Sequence, residues 1–168
     1  MAGTDIIQRS IDQADVPSVL RDLQQRHTEL VNLAAATLTW DPELHHNRTI
    51  TVNNAAGSTV TLPAASGSGA RARFVIGTTI TSNSFKVQVA NATDVMAGVA
   101  LQAADGGATL NAWEAGATDD TITMDGSTKG GIKGDIIELE DIAAGLWAVS
   151  IRGAATGAEA SPFSAAVS

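Results

Sequence analysis

Short runs of alternating apolar and polar residues fill most of the chain from residue 49 onward. The first two, TITV at 49–52 and STVTL at 58–62, lie on either side of the turn-forming sequence NNAAG. Strict alternation gives a strand one apolar face and one polar face, and Asn and Gly tolerate the backbone angles of tight turns. The stretch therefore predicts two strands joined by a tight turn.

Six further runs of the same kind follow, separated by clusters of Gly, Asn and Asp. They are ARARFVIG at 70–77, SFKVQVA at 84–90, VMAGVALQ at 95–102, DTITM at 120–124, DIIELEDI at 135–142 and LWAVSIRG at 146–153. No helical period separates them. The pattern predicts a mainly β fold, an antiparallel β-sandwich or barrel of jelly-roll-like type.

Residues 1–36 follow a different pattern. Asp15 is a suitable helix N-cap, and six residues then recur at steps of three and four: Val16, Leu20, Leu23, His27, Leu30 and Ala34. This spacing predicts an amphipathic N-terminal α-helix with a coiled-coil seam. Because so short a helix is marginal alone, we expect the seam to pack on a sister helix, the β domain or a foreign surface. His27 either packs on the domain or meets two other copies around water or an anion.

The chain thus divides into an arm and amphipathic helix at 1–36, a β domain at 37–153 and a tail at 154–168. The tail is small and polar, and we expect it to be flexible or to order on a neighbouring copy. The residues expected to contact other copies or a foreign surface are Ile6, Ile7, Ile11, Val16, Leu20, Leu23, His27 and Leu30.

Composition limits the classes of function. The 168 residues are 44% hydrophobic but only 4% aromatic, so the core is built from Val, Ile, Leu and Ala, and association with other copies is a plausible supplement. A net charge of −8 argues against a nucleic-acid partner. The absence of Cys excludes disulfides and thiolate chemistry. No apolar run approaches 18 residues, so we expect no membrane span and, from the polar N-terminus, no secretory signal.

Two motifs resemble binding sites in spelling. GSGARA, from Gly67, resembles a dinucleotide-binding loop, but such a loop requires a following helix and a strand is predicted here, so we interpret it as a turn. His45 and His46 are adjacent without a third ligand at zinc-like spacing, so we interpret them as a solvated loop pair.

Several carboxylates and tryptophans are also candidate site residues. An acidic solvated rim is predicted for Asp94, Asp105, Glu114, Asp119, Asp120 and Asp125, with weak Ca²⁺ binding as the alternative. Glu138 and Glu140 share one strand face, which indicates a solvated face more than a glycosidase pair. Trp147 is predicted to be core and Trp113 a contact residue in a loop. No catalytic, cofactor-binding or metal-ligating set is therefore predicted.

The β region resembles a known family. Residues 47–101, NRTITVNNAAGSTVTLPAASGSGARARFVIGTTITSNSFKVQVANATDVMAGVAL, and later GDIIELEDIAAGLWAV, are similar to the β domain of head decoration, cement or head-fibre proteins of tailed bacteriophages. TVTLPAASGSG is the most recognisable part, and related phrases also occur in tail-fibre modules. The resemblance implies trimers on the outer capsid surface that clamp subunits of the major capsid protein, often through an N-terminal segment, without catalytic residues.

From these observations we expect a non-enzymatic virion protein, a homotrimeric capsid decoration protein that stabilises the shell. The alternative is a tail- or head-fibre or carbohydrate-binding module that recognises a host surface. Sugar sites usually present aromatic platforms, and three Trp, three Phe and no Tyr make this alternative weaker. An enzyme such as a depolymerase is the third hypothesis.

Overall fold

The structure, a computed structural model, describes residues 30–167. Over this range it contains twelve β-strands, one four-residue α-helix and one 3₁₀ turn at Asp105–Gly107. The elements are β1 (Val31–Leu33), β2 (Thr37–Thr39), α1 (Pro42–His45), β3 (Thr49–Val52), β4 (Thr59–Thr61), β5 (Arg71–Ile76), β6 (Phe85–Gln88), β7 (Val95–Ala103), β8 (Leu110–Glu114), β9 (Thr121–Met124), β10 (Ile136–Ala143), β11 (Leu146–Ala154) and β12 (Phe163–Ser164). All eight strands predicted from alternation are confirmed, and the fold is mainly β.

The strands form two mixed sheets. The seven-stranded sheet has the order β1-β3-β5-β10-β11-β7-β8, and the five-stranded sheet has the order β12-β9-β6-β4-β2. The expected antiparallel arrangement is wrong, because β1, β3 and β5 pair in parallel and so do β2, β4 and β6. The β7–β11 pair is also parallel.

The parallel pairs follow from how the chain winds. From β1 to β7 each successive strand belongs to the other sheet. The NNAAG turn therefore does not close a hairpin: it carries the chain from β3 in the seven-stranded sheet to β4 in the five-stranded one. Two strands that are neighbours in one sheet are thus joined through a strand of the other sheet, and they run in the same direction.

Both sheets contribute to one hydrophobic core. Phe74 of the seven-stranded sheet lies against Phe85 of the five-stranded sheet, with ring centroids 5.8 Å apart. Trp40 and Trp147 form an edge-to-face pair at 6.1 Å, a favoured geometry for aromatic rings. Trp147 is fully buried, as predicted, and Trp40 is buried beside it.

The boundary predicted at residue 36 is wrong. Val31 and Leu33 pair with Ile50 and Val52 of β3, so the last turn of the expected helix is instead an edge strand. The helical spacing through Leu30 and Ala34 is overridden by this long-range pairing, as short segments often are. The other expected contact residues, Ile6, Ile7, Ile11, Val16, Leu20, Leu23 and His27, lie outside the described residues.

The C-terminal segment through residue 167 is part of the domain, which corrects the expectation of a flexible tail. β12 pairs with β9, and Phe163 is buried in the shared core. The Asp120 carboxylate accepts hydrogen bonds from the backbone N–H groups of Ala166 and Val167. These bonds and the apolar contact hold the segment against the five-stranded sheet.

Candidate functional site

The outer face of the seven-stranded sheet carries a row of charged residues. We call this row the charged ladder: Arg71, Arg73, Glu138, Glu140 and Arg152. Arg71 pairs with Glu140 at 3.2 Å, and Glu138 pairs with both Arg73 at 3.2 Å and Arg152 at 2.8 Å. The register sets these pairs, because Arg73 lies directly opposite Glu138 and Arg71 opposite Glu140 across the β5–β10 ladder. The pairs are partly exposed, so each contributes little to stability.

The shared face of Glu138 and Glu140 is confirmed, with Ile137 and Leu139 buried on the other side. A glycosidase acid needs an apolar environment that keeps one carboxyl protonated. Here both carboxylates are partly exposed and contact arginines on an open sheet face, so neither lies in an apolar environment. The arrangement matches the solvated strand face that the sequence indicated.

Beside the charged ladder, toward the β8 edge of the sheet, lies an exposed apolar surface. We call it the apolar strip: Val99, Leu101, Leu110 and Ala112. Val99, Leu101 and Leu110 are 44%, 37% and 63% exposed. The register joins Leu101, Ala112 and Leu110 into one surface, because Leu101 lies opposite Ala112 and Leu110 opposite Ala103 in the β7–β8 pair. Val99 extends this surface along β7 and lies opposite Glu114, where the strip ends. Contiguous exposed apolar side chains of this kind mark contact surfaces more often than isolated ones do.

Strand β8 was not anticipated. Trp113 lies on this strand rather than in a loop, and it packs partly buried against the core. Its neighbours Ala112 and Glu114 face outward. Trp113 therefore supports the apolar strip from below and does not form a free contact residue.

The loop after β4 holds an internal carboxylate. Asp141, at the end of β10, accepts hydrogen bonds from the backbone N–H groups of Ser66, Gly67 and Ser68 and from the hydroxyls of Ser66 and Ser68, at 2.7–3.1 Å. Gly67 has φ of 78°, and a Cβ there would lie 3.3 Å from the Cα of Ala143. The glycine-rich loop is thus an anion-binding turn whose anion is the protein's own side chain.

The pKa of Asp141 reflects these contacts. Burial by itself would raise the pKa, but the hydroxyl of Ser68 and the N–H groups of Gly67, Ser66 and Ser68 outweigh it and hold the pKa of Asp141 below its ordinary value of 3.8. The carboxylate is consequently ionised at neutral pH and fixes the loop.

Two members of the expected acidic rim are buried instead of solvated. Asp94 accepts a hydrogen bond from the Ala65 N–H at 2.7 Å, and Asp120 holds the C-terminal segment. Burial would raise the pKa of Asp120, yet its hydrogen bonds from the Ala166 and Val167 N–H groups and the Thr121 hydroxyl lower it. Asp135, which the sequence did not single out, accepts N–H bonds from Gly131, Ile132 and Ala154, and burial raises its pKa. These acids connect loops to strands.

Both histidines accept backbone hydrogen bonds, and the burial of His45 corrects its interpretation as a solvated residue, whereas His46 is partly exposed. His45 is buried at the end of α1, where its Nδ1 accepts a hydrogen bond from the Asp41 N–H at 2.9 Å. Burial lowers the pKa of His45 below its usual range. His46 Nδ1 accepts a hydrogen bond from the Arg71 N–H at 3.0 Å. One nitrogen of each ring is therefore already used by the backbone.

We expect chelators to leave the melting temperature unchanged. Among residues 30–167, no group of three or more His, Cys, Asp or Glu side chains is placed to hold a metal ion. Metal-dependent folds lose stability when the metal is removed. Calorimetry with and without EDTA tests this, and a fall of more than about 4 °C, roughly 1 kcal/mol for a domain of this size, would show that the acidic stretch binds a cation. Added Ca²⁺ in the same assay is the control.

No protein-family model matches the chain, and no curated protein matches it. Within the part of the chain that the structure describes, no helix is long and apolar enough to cross a membrane.

Proposed function

We propose that the protein is a non-enzymatic structural protein of a phage virion, a homotrimeric decoration protein on the outer surface of the capsid. We also infer that its two sheets pack face to face as a β-sandwich. The resemblance of residues 47–153 to decoration proteins supports the assignment. The partner in this proposal is the major capsid protein, with no nucleic acid, membrane or cofactor.

One structural observation carries the proposal. Among the described residues, several carboxylates are engaged by other groups of the domain, while apolar side chains remain exposed on one sheet face. Asp141 and Asp120 hold loops, and Glu138 is paired with two arginines. The exposed strip around Leu110 remains for contact with another surface. Internal use of the polar groups together with an exposed apolar surface is what we expect of a rigid scaffold that stabilises a capsid shell through protein–protein contacts.

Binding to shells tests the proposal directly. Purified capsids lacking the protein should take it up saturably and should then resist a higher temperature before releasing their DNA. A control protein of similar size and charge should not cosediment. Uptake by a glycan surface in the absence of capsid uptake would support the fibre or carbohydrate-binding alternative and overturn the decoration proposal.

We expect the isolated protein to be a trimer. Only 4% of the residues are aromatic, and apolar side chains lie exposed at the β8 edge and at Leu30 just before β1, so burying them between copies is favourable. Sedimentation equilibrium at micromolar concentration should give three times the chain mass of 17.1 kDa. A mass equal to one chain would contradict this prediction.

A further inference from the structure

The apolar strip has no cover among the described residues. Leu110 and Ala112 stand on β8, which pairs only with β7 over residues 30–167 and so leaves one edge of the sheet open. An open edge next to exposed apolar side chains is a surface that native proteins usually cover or pair. The question is which part of which molecule covers it.

Residues 1–29 precede the described part of the chain, which begins at the opposite edge of the same sheet, next to β1. Leu30, which is 64% exposed, immediately precedes β1. The segment before it, residues 16–29, contains Val16, Leu20 and Leu23 at the seam spacing. From Val16 to Leu30 an extended chain reaches roughly 46–50 Å at about 3.3–3.6 Å per residue. The segment can therefore reach the strip of its own domain or that of an adjacent copy.

The charged ladder makes the route over its own domain unfavourable. β1 and β8 are separated by five strands, so the segment would cross about 29 Å of sheet at about 4.8 Å per strand. Most of that path lies over the pairs of Arg73 and Arg152 with Glu138. Covering these ions with an apolar stripe would remove water from them, which is costly.

An adjacent copy offers a short route. Through the successive pairings of the sheet, β8 runs opposite to β1. The β1 edge of one copy can therefore lie antiparallel beside the β8 edge of the next. Leu30 of the copy that supplies β1 then lies at the β8 edge of its neighbour. The segment before Leu30 can reach the neighbour's apolar strip without crossing a charged ladder. Such head-to-tail contacts close into a ring when the rotation fits.

We propose that residues 16–29 of one copy cover the apolar strip of the next copy, with β1 of the first beside β8 of the second. This inference rests on the proposed homotrimer, and it names the surface that joins the copies. Val16, Leu20 and Leu23 supply the apolar side chains that contact Val99, Leu101 and Leu110.

Disulfide cross-linking tests the contact, because the chain contains no native Cys. A chain with Leu20→Cys is co-expressed with one carrying Leu101→Cys and oxidised mildly, and covalent dimers are measured on denaturing gels. The matched control replaces Leu101→Cys with Lys86→Cys, an exposed position on the five-stranded sheet. We expect the Leu101 pair to give roughly ten times more mixed dimer than the Lys86 pair, which corresponds to about 1.4 kcal/mol of preference.

The double variant Leu20→Cys/Leu101→Cys separates the two routes. Cross-links between chains, up to a covalent trimer, support the proposal, whereas a cross-link within one chain overturns it. Equal yields with Leu101 and Lys86 overturn it too. Sedimentation of the same samples distinguishes failure of this proposal from failure of the proposed function. A trimer without the cross-link contradicts only the proposed contact, whereas a monomer contradicts the homotrimer itself.

A milder substitution gives an independent measurement. Leu101→Ser removes apolar surface at an exposed position and should leave the domain folded. We expect the concentration at which the trimer dissociates to rise roughly tenfold or more, given the usual value of burying a Leu side chain. Lys86→Ser is the control and should leave dissociation unchanged. Unchanged dissociation in Leu101→Ser would contradict the proposed contact.

Discussion

Replacing Asp141 with Ala should lower the free energy of unfolding by about 3–5 kcal/mol, the range seen when a buried charged hydrogen-bonding group is removed. The carboxylate accepts bonds from the N–H groups of Ser66, Gly67 and Ser68 and from two hydroxyls. Without it, three backbone donors converge on an empty position, where water reaches them poorly because Asp141 is only 2% exposed. The β4–β5 connection then loses its side-chain attachment to β10 and keeps the backbone bonds that join Gly69 and Ala70 to residue 141.

Urea denaturation of the full chain measures this effect. The matched control is Asp119→Ala, which removes a carboxylate that accepts a bond from the Gly116 N–H in a more accessible turn. We expect the control to cost about 1 kcal/mol or less. Similar losses for the two variants would show that the carboxylate of Asp141 does not organise the loop.

The contribution of Asp141 to the free energy of unfolding should also depend on pH. The folded-state pKa of Asp141 lies below its ordinary value of 3.8. At low pH the unfolded chain therefore binds a proton that the folded chain does not, and stability falls as pH falls below about 4. The gap in stability between the native protein and Asp141→Ala should be full at pH 6 and should narrow from pH 4 downward. A gap independent of pH in this window would mean that the carboxylate is not bound as a charged group.

Deleting residues 1–12 should reduce binding to shells by at least roughly tenfold, while the trimer persists. This segment contains Ile6, Ile7 and Ile11 among polar residues. Burial of each Ile on a capsid surface contributes about 1.5–3 kcal/mol before the cost of ordering the segment, which cancels a substantial part. A net tenfold effect on the dissociation constant requires only about 1.4 kcal/mol.

The deletion keeps residues 16–29, so it separates capsid binding from trimer formation. Occupancy on shells is measured by cosedimentation over a range of protein concentrations, with trimer content checked by sedimentation equilibrium. A variant in which Ile6, Ile7 and Ile11 are all Val preserves the apolar character and should bind nearly as the native protein does. Full occupancy of shells by the truncated trimer would show that the β domain, and not residues 1–12, provides most of the binding to the shell.

The strands could be predicted from sequence where they alternate over four or more residues. β5 and β10 are examples: buried and more exposed residues alternate along each strand, with Phe74 of β5 and Leu139 of β10 among the buried ones. β1, β2 and β12 have two or three residues each and are fixed by partners far along the chain, which a local pattern cannot show. The assignment of successive strands to different sheets could not be predicted for the same reason. NNAAG has the composition of a hairpin turn, and only the tertiary pairing places β3 and β4 in different sheets.

The candidate surface was partly visible in the sequence. The alternation of DIIELED places Glu138 and Glu140 outward, and the same alternation places Asp141 inward with Ile137 and Leu139. An acid on the apolar face of a strand was thus the available signal for the internal anion site. The apolar strip could not be foreseen, because Leu101 and Leu110 come together only through the β7–β8 register.

The order in which the ribosome makes the strands differs from their order in space. β1, β3 and β5 leave the ribosome first and occupy one side of the seven-stranded sheet, β7 and β8 follow on the other side, and β10 and β11 fill the middle last. β5 lacks its central neighbour β10 until residue 143 is made, and β7 lacks its central neighbour β11 until residue 154 is made. Folding dominated by such distant pairings is slow. Between the synthesis of β8 and that of β10, a growing chain therefore carries two half-sheets without the strands that join them, and the seven-stranded sheet closes only after β11 is made.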